Sequence, residues 1–447
     1  MWFVNENTSR GPTIAGGVLH NAKLESIVQS QRTLIQRITL ISIVIALVLA
    51  TTGVGCTQSP GTQVAVTETP SAPRPTPVQL AHDGSPLGRA AAFLWSQQAK
   101  DGGWHSGTYG LLVSGQALTP FILQALLDVP ERIVQPPTGG VGRALDYIRG
   151  HVNDRGVLGV HDPDLLEYPN LATSAALACL LRVGAAEDGA AIRRMHDHLA
   201  SEQFTEPKGF DASMLAYGGW GFGGTHPPGR TGHMDLAHTR RVMQSLRAAT
   251  ADDELFERAE VFLRLLQKDP AELRDHPVPP ETEVAADNRP EFDGGFYFSP
   301  IVLAANKGRY ELGEQSSQWR SYATATCDGV LALLAAGVSP DDERVEAATA
   351  WLQCHPRWDY PAGIPVSPDE HPEPWGDAVR FYHYAVRAET YRALDWPGNW
   401  REDLVDELAP RQRADGSFLN PIFPLMKEDD PLLRTALAVV ALGAAEE

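Results

Sequence analysis

His233, Asp235 and His238 are the densest group of residues able to do chemistry, since a carboxylate flanked by imidazoles can hold a metal or move a proton. Asp235 and His238, three apart, would share one face of a helix. The same residues begin a helix, however, so the plain reading is that Asp235 caps it, and no metal is expected. Cys327-Asp328 falls in mid-helix, where a buried cysteine behaves as a small hydrophobe. Asp341-Asp342-Glu343 after Pro340 and Glu428-Asp429-Asp430 before Pro431 fit helix starts, where acids favour the dipole. The four cysteines, Cys56, Cys179, Cys327 and Cys354, form no C-x-x-C pair and no zinc-finger spacing. The glycine-rich run from Gly218 to Gly224 lacks the Lys-Ser/Thr ending of a phosphate loop. No cofactor is expected.

The elements that must position these residues recur. An amphipathic helix, a loop of glycine and aromatics, and a second, more apolar helix repeat six times, at 86–99 with 116–127, 141–150 with 171–182, 189–202 with 235–248, 253–267 with 321–336, 341–353 with 378–394, and 399–412 with 430–444. One pair cannot cover its own apolar face, whereas a ring of pairs closes on itself. The spacing therefore predicts a single all-α domain over 86–447, an α/α toroid of six helix pairs.

Ahead of it, residues 38–55 are 18 uncharged, largely apolar residues, long enough for a signal-peptide core or a short membrane span. Lys23, Arg32 and Arg37 precede this segment and only Arg74 follows within twenty residues, which places the body outside the cytoplasm. Segment 1–37 is then the cytoplasmic or signal n-region, 38–56 the transmembrane or lipoprotein signal segment, and 57–85 a Pro/Thr-rich tether without a core. Two anchors stay open. Cys56 after Gly53-Val54-Gly55 resembles a lipoprotein cleavage box, with glycine where leucine is usual, and an uncleaved helix fits as well. Residues 1–56 carry four basic and two acidic side chains, net +2 against −19 for the whole chain, so the remainder carries −21. Such an acidic body argues against nucleic acid as a partner and leaves the membrane and a hydrophobic small molecule.

Arg89-x3-Phe93-Leu94-x3-Gln98-x3-Gly102-x-Trp104 resembles the Gln-Trp repeat of squalene and oxidosqualene cyclases. Gln412-x3-Gly416-x-Phe418 keeps the spacing, and Phe262-Leu263-x3-Gln267 keeps its helical half. The resemblance covers residues 85–447 and extends to protein prenyltransferases and to bacterial repeat proteins of unassigned activity. It implies that the second helix of each pair forms an inner ring whose N-terminal ends open onto a central cavity. That singles out Asp235, His238, Tyr322, Thr324, Tyr382, His383 and Tyr384, with Trp220 from the aromatic loop, as residues that would line it. The plain alternative is that these polar groups cap inner helices and satisfy one another.

The Asp-x-Asp-Asp acid of class II cyclases has no counterpart here, and Arg320 and Tyr322 stand where prenyltransferases place the zinc-binding Asp and Cys, with only His383 resembling a ligand. The resemblance thus implies an apolar, isoprenoid-type ligand but leaves open whether a reaction occurs. If one does, His383 and Asp235 would handle protons, with Tyr322, Thr324, Tyr382, Tyr384, His238 and Trp220 binding the ligand. The alternative is a non-enzymatic surface scaffold for protein or glycan. A third reading, a carbohydrate-processing toroid, needs two opposed acids, for which Asp235 and Asp293 are the candidates.

Overall fold

The computed structural model describes residues 80–160, 166–250, 252–279, 290–311, 317–366, 374–418, 420 and 426–446. The expected anchor, Cys56 and most of the tether lie outside the described residues, among which no helix is long and apolar enough to cross a membrane.

Thirteen α-helices are described: α1 (Pro86–Ser96), α2 (Leu118–Leu127), α3 (Gly140–His151), α4 (Pro169–Val183), α5 (Gly189–Ser201), α6 (Leu236–Ala249), α7 (Asp253–Gln267), α8 (Ala323–Ala336), α9 (Glu343–Gln353), the single turn α10 (Trp375–Ala378), α11 (Arg380–Ala393), α12 (Trp400–Leu408) and α13 (Pro431–Ala445). Each predicted pair is present. Helix starts follow from side chains: Ser85, Asp235, Asp252, Asp342 and Asp430 each accept a backbone N–H of the turn they begin. Both acidic runs thus supply caps. Gly184 and Gly337, in the left-handed region, end α4 and α8.

Burial sorts the helices into two layers. α5 buries only Met195 and Leu199, whereas α8 is buried at nearly every position. The apolar helices α2, α4, α6, α8, α11 and α13 pack each on the next, and α13 packs back on α2, closing the inner ring. The outer helices lie against it. The first predicted helix of the sixth pair stops short, because Pro410 converts its last turn to a 3₁₀ turn over Ala409–Arg411. The fifth inner helix is broken at Val379, where α10 gives way to α11. A two-stranded antiparallel ribbon, β1 (Arg309–Glu311) and β2 (Ser317–Trp319), was not expected from the helical periodicity.

One joint recurs around the outside. The glutamine past the outer helix donates both to the carbonyl of its own loop glycine and to the first turn of the following outer helix: Gln98 to Gly102 and Gly140, Gln203 to Gly218 and Leu255, Gln267 to Gly294 and Arg344, and Gln412 to Gly416 and Pro86. The last set joins the final pair to the first. Two residues on, the aromatic's N–H is received by a threonine of the inner helix: Trp104 by Thr119, Trp220 by Thr239, Phe296 by Thr326 and Phe418 by Thr435. The glycine itself is required, since a Cβ on Gly218, at φ +84°, would lie 1.9 Å from the Arg258 carbonyl oxygen of α7.

Candidate functional site

The six inner-helix N-termini are tied together at one end of the ring. Glu167 accepts from Ser114 and Ala117 ahead of α2, and Asn170 of α4 binds the Gly221 carbonyl of the loop leading to α6. Leu236 of α6 donates to the Phe298 carbonyl, and Tyr322, before α8, to that of Phe296. Glu428 accepts from Phe381 and Tyr382 at the start of α11, while Asp430 of α13 takes the Ser106 hydroxyl. Burial raises Glu428 to about 7, although the two backbone N–H groups and Asn420 counter it. Two strained residues meet on this rim: Tyr168 (φ 46°) and Lys427 (φ 64°), with Lys427 Nζ 3.0 Å from the Tyr168 hydroxyl.

Below the rim, helical periodicity identifies the faces that look into the ring. A cavity of about 470 Å³ is lined by Arg241, Ser245 and Ala248 of α6, by Leu331 and Ala335 of α8, and by Glu389 and Ala393 of α11, with Leu171 and Ala175 of α4 and Phe121 of α2. Stepping back by three or four toward the N-termini, the same stripes carry His238 on α6, Thr324 and Asp328 on α8, and Tyr382 on α11. A polar bar runs toward the rim from this cavity, with Arg241, Gln244 and Glu389 forming part of the cavity wall. Arg240 Nε donates to Asp328 (3.0 Å), the Tyr382 hydroxyl to both Asp328 oxygens (2.8 and 2.9 Å), and Arg241 to Glu389 (3.0 Å), while Arg240 Nη1 reaches Glu389 and Gln244. α6 and α11 are separated in the ring by α8, so the Arg241–Glu389 pair reaches past that helix on its inner side. Burial raises the Asp328 carboxyl despite Arg240, whereas for Glu389 the two arginines outweigh burial and lower it.

Asp235 sits at the start of α6 with one carboxylate serving two imidazoles, His233 Nε2 and His238 Nδ1, each at 3.0 Å, besides the His238 backbone N–H. Burial pushes this acid up, but His238 and His233 outweigh it and hold the carboxyl well below the usual range. With its Nδ1 facing Asp235, His238 leaves Nε2 buried and without a partner, its ring 4.5 Å from that of Phe222. Tyr322 is fully buried and its hydroxyl has no partner among the described residues. Among the described residues no three His, Cys, Asp or Glu side chains converge as a metal site would need.

The other residues singled out from the sequence face elsewhere. His383 points to the loop after α9, its Nε2 3.2 Å from the Arg357 carbonyl and its ring beside Trp358; burial and then Arg387 lower it to about 3, which keeps it unprotonated. Tyr384 donates to Glu407 of the outer helix α12, and the Trp220 indole to the Leu199 carbonyl of α5. Asp293 lies in an outer joint with Lys268 and Ser321. Beside His383, Trp358 packs against Tyr391 and Trp400. Sequence reasoning passed over Arg240 and Lys307, and named Asp328 only beside Cys327 without giving it a role. The available signal for Asp328 was a lone carboxylate in Ala323–Ala336, an otherwise apolar helix.

No protein-family profile and no curated protein matches the chain. Among solved structures it is similar to the type II terpene cyclase MstE from Scytonema in complex with geranylgeranyl dihydroxybenzoate, at 15% identity and TM-score 0.46 over 80% of this chain and 96% of that one. A protein from Actinoplanes gives 17% and 0.43 over 80% and 98%, and an unsaturated glucuronyl hydrolase specific for heparin gives 12% and 0.45 over 81% and 94%. With every TM-score here below 0.5, function has to be argued from this chain's own residues.

Proposed function

We propose that the ring binds an apolar small molecule in its lumen and transforms it by proton transfer, with His238 as the proton-handling group and Asp235 as the residue that positions it. The observation that carries this reading is the α6 stripe: His238, oriented by Asp235 and with a free Nε2, continues the face that lines a cavity of about 470 Å³. That volume suits a small-molecule ligand; Phe121, Leu171, Leu331, Leu334 and five alanines offer an apolar skeleton its wall, while Arg241, Arg247, Glu389 and Gln244 would meet a polar end of the same molecule. Thr324 and Tyr382 lie on the stripes that lead to this cavity, whereas His383 has no role in this scheme. The expected anchor at 38–55 would hold the body against the extracytoplasmic membrane face, where a neutral lipid is at hand.

The polar bar favours a second reading, a rigid scaffold for protein or glycan whose centre is merely filled. One assay separates them. Full-length protein is incubated with a neutral lipid extract of the membranes in which it is made, and conversion is followed by mass spectrometry. His238→Ala is expected to lose roughly a hundredfold or more in turnover while still retaining lipid; unchanged turnover removes His238 from the mechanism, and neither conversion nor retention by the wild type supports the scaffold.

A further inference from the structure

Lys268 and Lys307 are equally buried, each 4% exposed, but they are held in opposite ways. Lys268 lies in an outer joint with its Nζ 2.7 Å from Asp293, an ordinary ion pair. Lys307 makes no ion pair among the described residues. Its Nζ donates once, to the Ala305 carbonyl at 3.1 Å, and lies 4.2 Å from the ring centre of Phe298, 5.0 Å from that of Trp375 and 5.4 Å from that of Tyr322. The ring faces attract an ammonium, but a single carbonyl partner leaves it with little of the solvation that water would give, and burial works against the charged form. Burial lowers Lys307 to about 8, although Asp235 and Asp328 both act to raise it. One of the walls is Tyr322, whose buried hydroxyl has no partner and whose phenol is pushed well up by burial and by those same acids, so that it keeps its proton.

We propose that Lys307 is a nucleophilic amine that forms an imine with an aldehyde or ketone, and that Tyr322 is the acid that assists it. The Nζ lone pair adds to the carbonyl carbon while the carbonyl oxygen takes the Tyr322 proton. The resulting carbinolamine loses its hydroxyl group as water, with Nζ giving up its remaining protons to that departure and to the phenolate, so that a C=N bond replaces the C=O bond. No oxidant or reductant is consumed. The aromatic walls of Phe298 and Trp375 restrict the site to an apolar carbonyl compound. This chemistry is independent of the role proposed for His238.

The chain has only six lysines, Lys23, Lys100, Lys208, Lys268, Lys307 and Lys427, which makes the test clean. Full-length protein is treated at pH 7 with hexanal and sodium cyanoborohydride, which reduces any imine to a stable secondary amine, and modified peptides are mapped over time. At that pH an amine near 8 has a free-base fraction on the order of a hundredfold above that of an ordinary lysine. Lys307 is expected to be alkylated before exposed Lys100, and Tyr322→Phe to slow Lys307 about tenfold or more with Lys100 unchanged. Lys307→Arg should abolish that adduct; should this variant not fold, the wild-type map decides alone. A Lys307 that stays unmodified once Lys100 is saturated, or that reacts no faster than buried Lys268, overturns the proposal.

Discussion

The outer joints and the lumen are both buried and polar, yet they are built on different terms. In the joints the same bonds recur: four glutamines each bridge two carbonyls, and four threonines each receive an aromatic residue's N–H, with Gln203 Oε1 the one joint atom left without a partner among the described residues. The lumen side occurs once and leaves groups unspent, namely the Tyr322 hydroxyl, His238 Nε2 and Arg240 Nη2. Repetition of the same donor–acceptor bonds is what a ring needs in order to stand. Singular, unsatisfied donors cost stability and are kept where something else uses them.

This contrast breaks if joint variants are mild or if lumen variants unfold the protein. The largest effect is expected for Gly218→Ala, which sets a Cβ against the Arg258 carbonyl at a positive φ; about 4 kcal/mol should be lost in urea unfolding. Next comes Glu428, on the rim. Its folded value of about 7 exceeds the unfolded one near 4.5, so its contribution is fully present below about pH 4.5 and is lost as pH rises through 7. Glu428→Gln should remove about 3 kcal/mol of that pH dependence, read from melting curves between pH 4.5 and 8. Gln412→Ala takes away the bond to Pro86 that joins the last pair to the first and the bond to its own loop glycine, and about 2 kcal/mol should follow by the same unfolding assay. The smallest change in stability is expected for Tyr322→Phe, within about 1 kcal/mol of wild type and of either sign, because its hydroxyl has no bond to lose.

The same division explains what the sequence disclosed. Gln98 and Gln412 stand four residues before their glycines, so the joint could be read directly, and with it the six pairs. Gln203 performs the same task but is separated from Gly218 by fourteen residues, which hid it in a linear pattern. Asp235 and His238 were legible because they are close in the chain and share a helix face. Asp328, Arg240 and Tyr382 come from three helices and meet only once the ring has closed, and Lys307 depends on Phe298, Tyr322 and Trp375, which are also distant in sequence. His383 looked as eligible as Tyr382 beside it. On an inner helix, one step of about a hundred degrees turns a side chain from the lumen to the outer layer, and only the packing shows which residue is which.

The central claim is that the lumen is occupied by an apolar molecule. Native mass spectrometry of gently extracted full-length protein, wild type beside Ala335→Trp, tests it most directly, since the indole would fill the cavity from α8 without touching a joint. A bound small molecule in the wild type that is absent from an equally stable Ala335→Trp protein is the predicted result. An empty wild type, or a ligand retained equally by both, would contradict it.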